Sequence, residues 1–157
     1  MKKLQELFKR QSKRVYQIAM LYLKNTSDAE DAVQSVFLKC VEKKCVFENQ
    51  NHEDAWFITV TRNHCKDVLK AFWRRKVEVQ SEVDLKNQDQ GTLNLTEKLL
   101  LLSRKHREVI YLYYYEEYSI REISQILKRK ESTIQSQLSS ARKKLQREIK
   151  KGDELRG

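Results

Sequence analysis

The sequence predicts an all-α protein made of two small helical domains that a flexible acidic linker joins, the C-terminal domain being a helix-turn-helix. Three observations support this fold class. The 157 residues include no proline and only three glycines, none before position 91, so the first 90 residues lack both of the strongest helix breakers. Apolar residues recur at helical spacing in both halves. A stretch of opposite charge separates the two halves.

The whole chain has a formal net charge of +10, and its positive charge is concentrated in three segments. Residues 1–27 carry seven bases and one acid, residues 62–76 carry six and one, and residues 119–151 carry ten and three. With 39% hydrophobic residues the chain still has enough apolar surface to fold. The distribution therefore predicts a folded protein that binds a polyanion.

The acidic stretch between the basic segments predicts the domain boundaries. Residues 77–96 hold four acids and one base, together with a polar run and Gly91. We therefore expect a first domain over residues 1–78, a linker over 79–96 and a second domain over 97–151. An extended linker of this length reaches roughly 60 Å, more than the roughly 35 Å of one turn of duplex DNA. Two domains joined in this way could touch one duplex at separate sites.

Two amphipathic helices are expected at the start of the chain. The first covers residues 2–24, and the second begins at Ser27 or Asp28, either of which can cap it. The second helix has a continuous apolar stripe, made of Ala29, Ala32, Val33, Val36, Phe37, Cys40 and Val41. Its opposite face is either solvated surface or a docking site for another protein, and it carries Asp31, Gln34, Ser35 and Leu38.

A third helix is expected from about Glu53 to Arg75, after a polar segment at residues 47–52. Four cations and one tryptophan share its outer stripe because they lie at helical spacing, namely Arg62, Lys66, Lys70, Trp73 and Arg74. An exposed aromatic ring can stack on an unpaired base, and cations can hold phosphates. The stripe therefore favours a surface for partly opened DNA over a merely solvated basic face.

A helix-turn-helix is expected in the C-terminal half. Ser119 stands three residues before Glu122, the spacing of a capping box, and opens a short helix. A polar turn over residues 128–131 leads to Ser132, a candidate N-cap for a helix whose apolar stripe is Ile134, Leu138, Ala141 and Leu145. In this motif the start of the second helix meets base edges, and cations farther along hold phosphates. That division suits Thr133, Gln135, Ser136, Ser139 and Ser140, followed by Arg142, Lys143 and Lys144.

Several function classes lack support in the sequence. No apolar run approaches the roughly 20 residues that span a bilayer, and the N-terminus has no signal-peptide pattern, so we expect a cytoplasmic protein without membrane insertion. Cys40, Cys45 and Cys65 are expected to be reduced thiols rather than disulfides or zinc ligands. His52 and His106 have no catalytic partner in the pattern. No enzymatic activity, metal or cofactor is therefore expected.

Four segments that follow one another along the chain resemble one family. They are DAEDAVQSVFLK (28–39), WFITVTRNHCKD (56–67), REVIYLYYYEEYSIREISQIL (107–127) and STIQSQLSSARKKL (132–145). Over about residues 4–150 the chain resembles the extracytoplasmic-function sigma factors, the smallest kind of bacterial RNA polymerase sigma factor. It differs from many relatives in its glycine-free KRKE turn, and in having Gln and Ser at 135, 137, 139 and 140 where relatives often have Lys or Arg.

The resemblance implies a promoter-recognition subunit. Its second helix would dock on the clamp helices of the largest polymerase subunits, through Asp31, Gln34, Ser35 and Leu38. The segment at 47–52, with Asn49 and Asn51, would capture an unpaired base of the minus-ten element, and the third helix would hold the melted strand through Arg62, Lys66, Lys70, Trp73 and Arg74. The last helix would read the minus-thirty-five element through Ser132, Thr133, Gln135, Ser136, Ser139, Ser140, Arg142 and Lys143.

The resemblance also implies partners. They are core RNA polymerase, promoter DNA and an anti-sigma factor, and the linker would thread through the polymerase near the RNA exit path. A stand-alone helix-turn-helix transcriptional regulator is the alternative interpretation. It would explain residues 97–150 but would leave the 28–39 face and the basic stripe of the third helix without a function.

Overall fold

The structure, a computed structural model, describes residues 2–74 and 98–156. The predicted linker at 79–96 and its boundaries with the flanking domains lie outside the described residues. The chain divides into two compact units, residues 1–88 and 89–157. Within the described ranges the regular structure is helical in both units, which confirms the all-α prediction.

In its described residues, 2–74, unit 1 consists of three helices, each of which contacts the other two. They are α1 (Lys2–Leu23), α2 (Thr26–Glu42) and α3 (Gln50–Arg74). Their apolar faces meet in a core cluster of Val15, Val36, Phe37, Cys40 and Phe57. The predicted stripe of α2 is buried along most of its length, but Val33 is only partly buried and Val41 is exposed.

The cap of α2 differs from the prediction. The prediction of Ser27 or Asp28 is wrong, because α2 already begins at Thr26 and Asn25 is its N-cap. The Asn25 Oδ1 accepts a hydrogen bond of 2.7 Å from the backbone N–H of Asp28, and the Asn25 amide donates one of 2.7 Å to the Asp28 carboxylate. Lys24 turns the chain sharply with φ 61° after α1, which leaves Asn25 extended and in position to cap.

The end of α2 is a Schellman motif. Lys44 has a left-handed backbone with φ 49°, its N–H donates to the Val41 carbonyl at 3.2 Å, and the Cys45 N–H donates to the Cys40 carbonyl at 3.3 Å. This pair of bonds satisfies carbonyls that a helix end leaves without a helical partner. The residue at the left-handed position is usually glycine, and here it is a lysine.

Unit 2 is built around the long helix α6 (Glu131–Arg156), which contacts both α4 (Arg104–Ile110) and α5 (Ile120–Leu127). A wide π-helical turn, Tyr111–Tyr115, continues from α4. The predicted helix-turn-helix is present as α5, a turn and α6. Its core includes Ile123, Leu127, Ile134, Leu138 and Ala141, whereas Leu145, predicted in the same stripe, is only partly buried.

The capping box of α5 is confirmed, and the cap of α6 is corrected. The Ser119 hydroxyl accepts from the Glu122 N–H at 3.1 Å, and the Glu122 carboxylate accepts from the Ser119 N–H at 3.0 Å. Ser132 is not an N-cap, because α6 starts one residue earlier at Glu131. The turn is shorter than predicted because Lys128 takes a left-handed backbone, φ 56° and ψ 48°, which reverses the chain in few residues.

Candidate binding surfaces

The outer face of α2 presents a mixed polar and apolar surface. Asp31 and Gln34 are exposed, Ser35 is partly buried, and Leu38 is 58% exposed. The four residues share one face because they lie three, four and seven positions apart on one straight helix, while the opposite face of α2 is in the core. The structure therefore places the predicted docking residues together on the solvent side of unit 1.

A second apolar side chain near the C-terminal end of α2, that of Val41, is exposed in addition to Leu38. An exposed leucine is common in folded proteins and needs no explanation by itself. Two large apolar side chains beside Asp31 and Gln34 make a surface with both a polar and an apolar part. This composition is typical of the surfaces through which proteins bind one another.

A buried polar network fixes the first turn of α3 to α1. Glu53 is 6% exposed, and its carboxylate accepts hydrogen bonds from Arg10 at 2.9 and 3.2 Å and from Gln11 at 2.6 Å. Gln50 donates to the same carboxylate at 2.6 Å. Asp54 repeats the pattern one residue later, since Arg14 forms a salt bridge of 2.9 Å to it.

The network stabilises the charged form of Glu53. Burial alone would raise the pKa of this carboxyl group, but the hydrogen bonds from Arg10, Gln11 and Gln50 outweigh burial and lower its pKa below the usual value. The reasoning from sequence missed this network, because its partners are about 40 residues apart in the chain. The available signal was the pair of acids at the start of α3, which could be matched to bases on α1.

The segment at 47–52 runs from the link after α2 into the first turn of α3, because α3 begins at Gln50 and not at the predicted Glu53. Phe47 packs against Trp56 with ring centroids 5.7 Å apart and meets the edge of the His52 ring at 5.4 Å. The Glu48 N–H donates to His52 Nδ1 at 3.1 Å. Asn49 accepts from the His52 N–H at 2.8 Å through its side-chain oxygen, so this side chain orders the start of α3, while Asn51 is exposed.

The basic stripe of α3 has two different parts. Arg62 and Lys66 are partly buried and each interacts with other groups of the protein. Lys70 and Arg74 are exposed, and between them the Trp73 side chain is 68% exposed. The part most open to a ligand is therefore the C-terminal end of α3, where two cations flank an indole ring.

The solvent side of α6 is lined by small polar side chains near its start. Ser132, Thr133, Gln135, Ser136, Ser139 and Ser140 are all exposed, and Lys143 follows them. None of these side chains contributes to the core of unit 2, whose α6 residues are Ile134, Leu138 and Ala141. The structure thus brings the predicted reading residues to one outer surface.

Arg142 is exposed like its neighbours but is held in place. Its Nε donates to the Tyr114 hydroxyl, and its guanidinium lies 5.4 Å from the centroids of both the Tyr113 and Tyr114 rings. The sequence reasoning did not assign a role to the tyrosines at 113–115. These tyrosines lie in the π-helical turn, and two of them contact Arg142 of α6. No local sequence pattern at positions 111–115 predicts such a turn.

The turn before α6 is braced by Arg129. Its guanidinium forms a salt bridge of 3.2 Å to Glu108, which is 4% exposed, and donates to the Gln137 side chain at 3.0 Å. Three elements, α4, the turn and α6, are thereby joined through one side chain.

In the ranges 2–74 and 98–156 no helix is both long enough and apolar enough to cross a membrane. In the same part of the chain no cluster of three or more His, Cys, Asp or Glu side chains is arranged to hold a metal ion.

Comparison with known proteins gives matches for both units. The family model described as Sigma-70 region 2 matches residues 7–75, and the model described as Sigma-70, region 4 matches residues 92–145. Among curated proteins, RNA polymerase sigma factor SigV of Bacillus subtilis (strain 168) is 24% identical over 144 residues, which cover 88% of this chain and 86% of the relative.

A solved structure has the same fold. The sigma factor RpoE from Bartonella quintana, crystallised with the anti-sigma factor NepR, matches with a TM-score of 0.78 and 25% sequence identity. The match covers 96% of this chain and 98% of that chain. The likeness therefore extends over both units and is not limited to the helix-turn-helix.

Proposed function

This chain belongs to the extracytoplasmic-function sigma factors, the RNA polymerase subunits that direct transcription to particular promoters, and from that premise we propose how its two units divide the work. The single observation that carries the proposal is the presence of region 2 and region 4, in this order, in one chain. A stand-alone regulator with a helix-turn-helix would need only the second. Unit 1 binds core polymerase and the minus-ten element, and unit 2 reads the minus-thirty-five element.

The outer face of α2 is the proposed contact with core polymerase. Leu38 supplies exposed apolar area, while Asp31 and Gln34 supply charge and hydrogen-bonding groups. Full burial of an exposed leucine contributes about 1.5–3 kcal/mol, and Leu38, which is 58% exposed, can contribute about half of that on association. Polar groups around it add specificity, since a partner of the wrong charge pays for their desolvation.

The C-terminal end of α3 and the segment at 47–52 are the proposed minus-ten surface. Trp73 is exposed between Lys70 and Arg74, an arrangement in which an indole stacks on an unpaired base and the cations hold neighbouring phosphates. Asn51 is exposed in the segment at 47–52, as Asn49 and Gln50 also are. The Asn49 side chain accepts a hydrogen bond from the His52 N–H and so fixes the shape of that segment. In the proposal Asn49 has this structural role in addition to a contact with the minus-ten element.

The outer surface of α6 is the proposed minus-thirty-five surface. The amide of Gln135 and the hydroxyls beside it are groups that hydrogen-bond to base edges in the major groove. Lys143 and Arg142 are the proposed phosphate contacts. Because these side chains all project from one rigid helix, they enter the groove together.

Two partners and a cellular location complete the proposal. The solved relative is a complex with an anti-sigma factor, and we infer that an anti-sigma factor also binds this chain. The protein acts in the cytoplasm, where polymerase and promoter DNA are found. It contributes binding and positioning, and the chemistry of RNA synthesis belongs to core polymerase.

Reconstituted transcription tests the proposal. Core polymerase is supplied with a library of promoter fragments, with and without the purified chain, and the transcripts are sequenced. We expect initiation from a small subset of fragments, all of which share a minus-thirty-five and a minus-ten element at one spacing. Selective binding of the chain to DNA without any selective initiation would instead identify a stand-alone regulator.

A further inference from the structure

The end of α2 brings two of the three cysteines together. Cys40 and Cys45 are the acceptor and the donor of the Schellman hydrogen bond that spans five positions, in which the Cys45 N–H donates to the Cys40 carbonyl at 3.3 Å. Side chains at these two positions commonly touch. A disulfide requires the α carbons to lie roughly 4.4–6.8 Å apart, and the backbone hydrogen bond keeps the two residues next to each other across the turn.

The two thiols also interact directly. Cys40 is 5% exposed and belongs to the core cluster, and Cys45 packs against the same cluster from a more exposed position. Burial raises the pKa of Cys40 to about 11, with a further contribution from the charge of Cys45 and from a hydrogen bond between the two thiols. Cys40 is therefore a protected thiol with a more accessible thiol as its neighbour.

Cys65 provides an internal comparison. It lies in the middle of α3, is fully buried, and has a pKa raised to about 12 by burial alone. Burial makes both Cys65 and Cys40 poor nucleophiles toward an oxidant in solution, but only the pKa of Cys40 responds to a second cysteine. Among the three cysteines, the pair at the end of α2 therefore combines access for an oxidant with a second thiol in reach.

We propose that Cys40 and Cys45 are a reversible oxidation site, at which a peroxide converts the two thiols into an intramolecular disulfide. The Cys45 sulfur attacks one peroxide oxygen, the O–O bond breaks, and hydrogen peroxide yields a Cys45 sulfenic acid and one water. The Cys40 sulfur then attacks the Cys45 sulfur, the S–O bond breaks, and hydroxide leaves with the Cys40 proton as a second water. Two thiols and one peroxide give one disulfide and two waters.

The order of the two steps follows from exposure. Cys45 reacts first because it is the more accessible thiol, whereas Cys40 is buried. The disulfide would tie the last turn of α2 to the residue two positions before Phe47, whose ring packs against Trp56 and Phe57. A thiol reductant restores both cysteines.

Peptide mapping of the full chain tests the site without any assay of transcription. The protein is treated with hydrogen peroxide, remaining thiols are alkylated, and the chain is digested with trypsin. Cleavage after Lys39, Lys43, Lys44 and Arg62 separates Cys40 and Cys45 into peptides 40–43 and 45–62. We expect these two peptides to be joined after peroxide treatment and to separate on reduction, while Cys65 is found alkylated once the chain is unfolded.

Two variants serve as matched controls. Cys65→Ser should leave the linked peptides unchanged, and Cys45→Ser should abolish them. If Cys65→Ser fails to fold, the state of Cys65 in the unmodified chain gives the same information. Linkage of either cysteine to Cys65, linkage between two chains, or oxidation of Cys45 to a sulfonic acid with Cys40 still free to be alkylated would each overturn the proposal. A loss of promoter selectivity would have no effect on this result, so the two proposals fail separately.

Discussion

At the scale of single residues, the Arg142–Tyr114 pair joins two elements that are far apart in sequence. The Tyr114 hydroxyl accepts from the Arg142 Nε, and two tyrosine rings lie beside the guanidinium. An arginine on a flexible side chain loses entropy when it binds a phosphate. Because this side chain is already ordered before DNA arrives, part of that loss has occurred on folding.

Tyr114→Phe should therefore weaken binding to the minus-thirty-five element. The change removes one hydrogen bond and leaves the ring, so we expect a loss of about 0.5–1.5 kcal/mol, a fall in affinity of roughly twofold to tenfold. The measurement is binding of the chain with core polymerase to a labelled promoter. Tyr115→Phe is the control, because the Tyr115 ring stacks on Tyr111, whereas the Arg142 partners are Tyr113 and Tyr114. Equal losses in both variants would contradict a positioning role for the Tyr114 hydroxyl.

Lys128 illustrates a different residue-scale effect, the cost of a side chain at a left-handed position. Its φ of 56° suits glycine, and a Cβ there costs about 1–2 kcal/mol. Glycine relieves this strain, but the unfolded chain with glycine has more conformational entropy, which offsets part of the gain in stability. Lys128→Gly should therefore raise the free energy of unfolding of unit 2 by about 0.5–1 kcal/mol. Urea unfolding followed by circular dichroism measures it. Gln125→Gly, in the middle of α5, should change stability by a similar amount in the opposite direction.

At the scale of elements, α2 has one face in the core and one face free for a partner. Replacing Asp31 by Arg and Gln34 by Ala inverts the charge of the outer face without touching the core residues of α2. We expect loss of co-purification with core polymerase and an unchanged unfolding midpoint. Asp67→Arg, which reverses an exposed acid on α3, is the control for net charge. Retention of core polymerase by the double variant would remove this face from the proposed interface.

The connection between α1 and α3 is the element-scale feature that responds to pH. Because hydrogen bonds lower the pKa of Glu53 in the folded state, its contribution to stability is present above the unfolded value of about 4.3. That contribution is lost as the pH falls through the lower folded value. Glu53→Gln should cost about 1–3 kcal/mol at pH 7, since the donors of Arg10, Gln11 and Gln50 then face an amide with one acceptor oxygen.

The pH profile distinguishes this effect from a simple packing defect. The difference in unfolding free energy between Glu53→Gln and the unmodified chain should be largest near neutral pH. It should shrink as the pH falls from the unfolded value of about 4.3 through the lower folded pKa, where the native carboxyl group becomes protonated. Glu48→Gln changes an exposed acid nearby and should have little effect at any pH. A difference that stays constant from pH 7 to pH 3 would show that the charge of Glu53 is unimportant.

At the scale of the whole molecule, two small units that each make few contacts should bind DNA weakly on their own. Core polymerase raises the effective concentration of the second unit once the first has bound. We expect the free chain to retain promoter fragments poorly in gel shifts, and the complex with core polymerase to retain them tightly and selectively. Lys143→Ala should weaken binding to every promoter and reduce the slope of log affinity against log salt by about one unit. Tight and selective binding by the free chain would contradict the division of work between the units.

How much could be predicted from the sequence depends on the distance between interacting residues. Helices and the capping box of Ser119 and Glu122 follow from patterns within a few positions, and both are present. Predicted caps were wrong where the cap depends on the end of a neighbouring element. The cap of α2 is Asn25 and not Ser27 or Asp28, and Ser132 does not cap α6. The residues proposed for DNA and polymerase contact could be named from periodicity and resemblance. The network at Glu53 and the tyrosines that hold Arg142 could not, because they join residues between 28 and 43 positions apart.

The two tryptophans of the chain differ in their surroundings, and this difference gives the protein a built-in optical signal. Trp56 is partly buried against Phe47 and Phe57, whereas Trp73 stands in solvent at the end of α3. Both lie in unit 1, and unit 2 has tyrosines instead. Excitation at the red edge of the indole band therefore observes unit 1 alone. If an unpaired promoter base stacks on Trp73 as proposed, it would quench the emission of Trp73 and leave that of Trp56 in place, so strand separation would change the fluorescence without an attached dye.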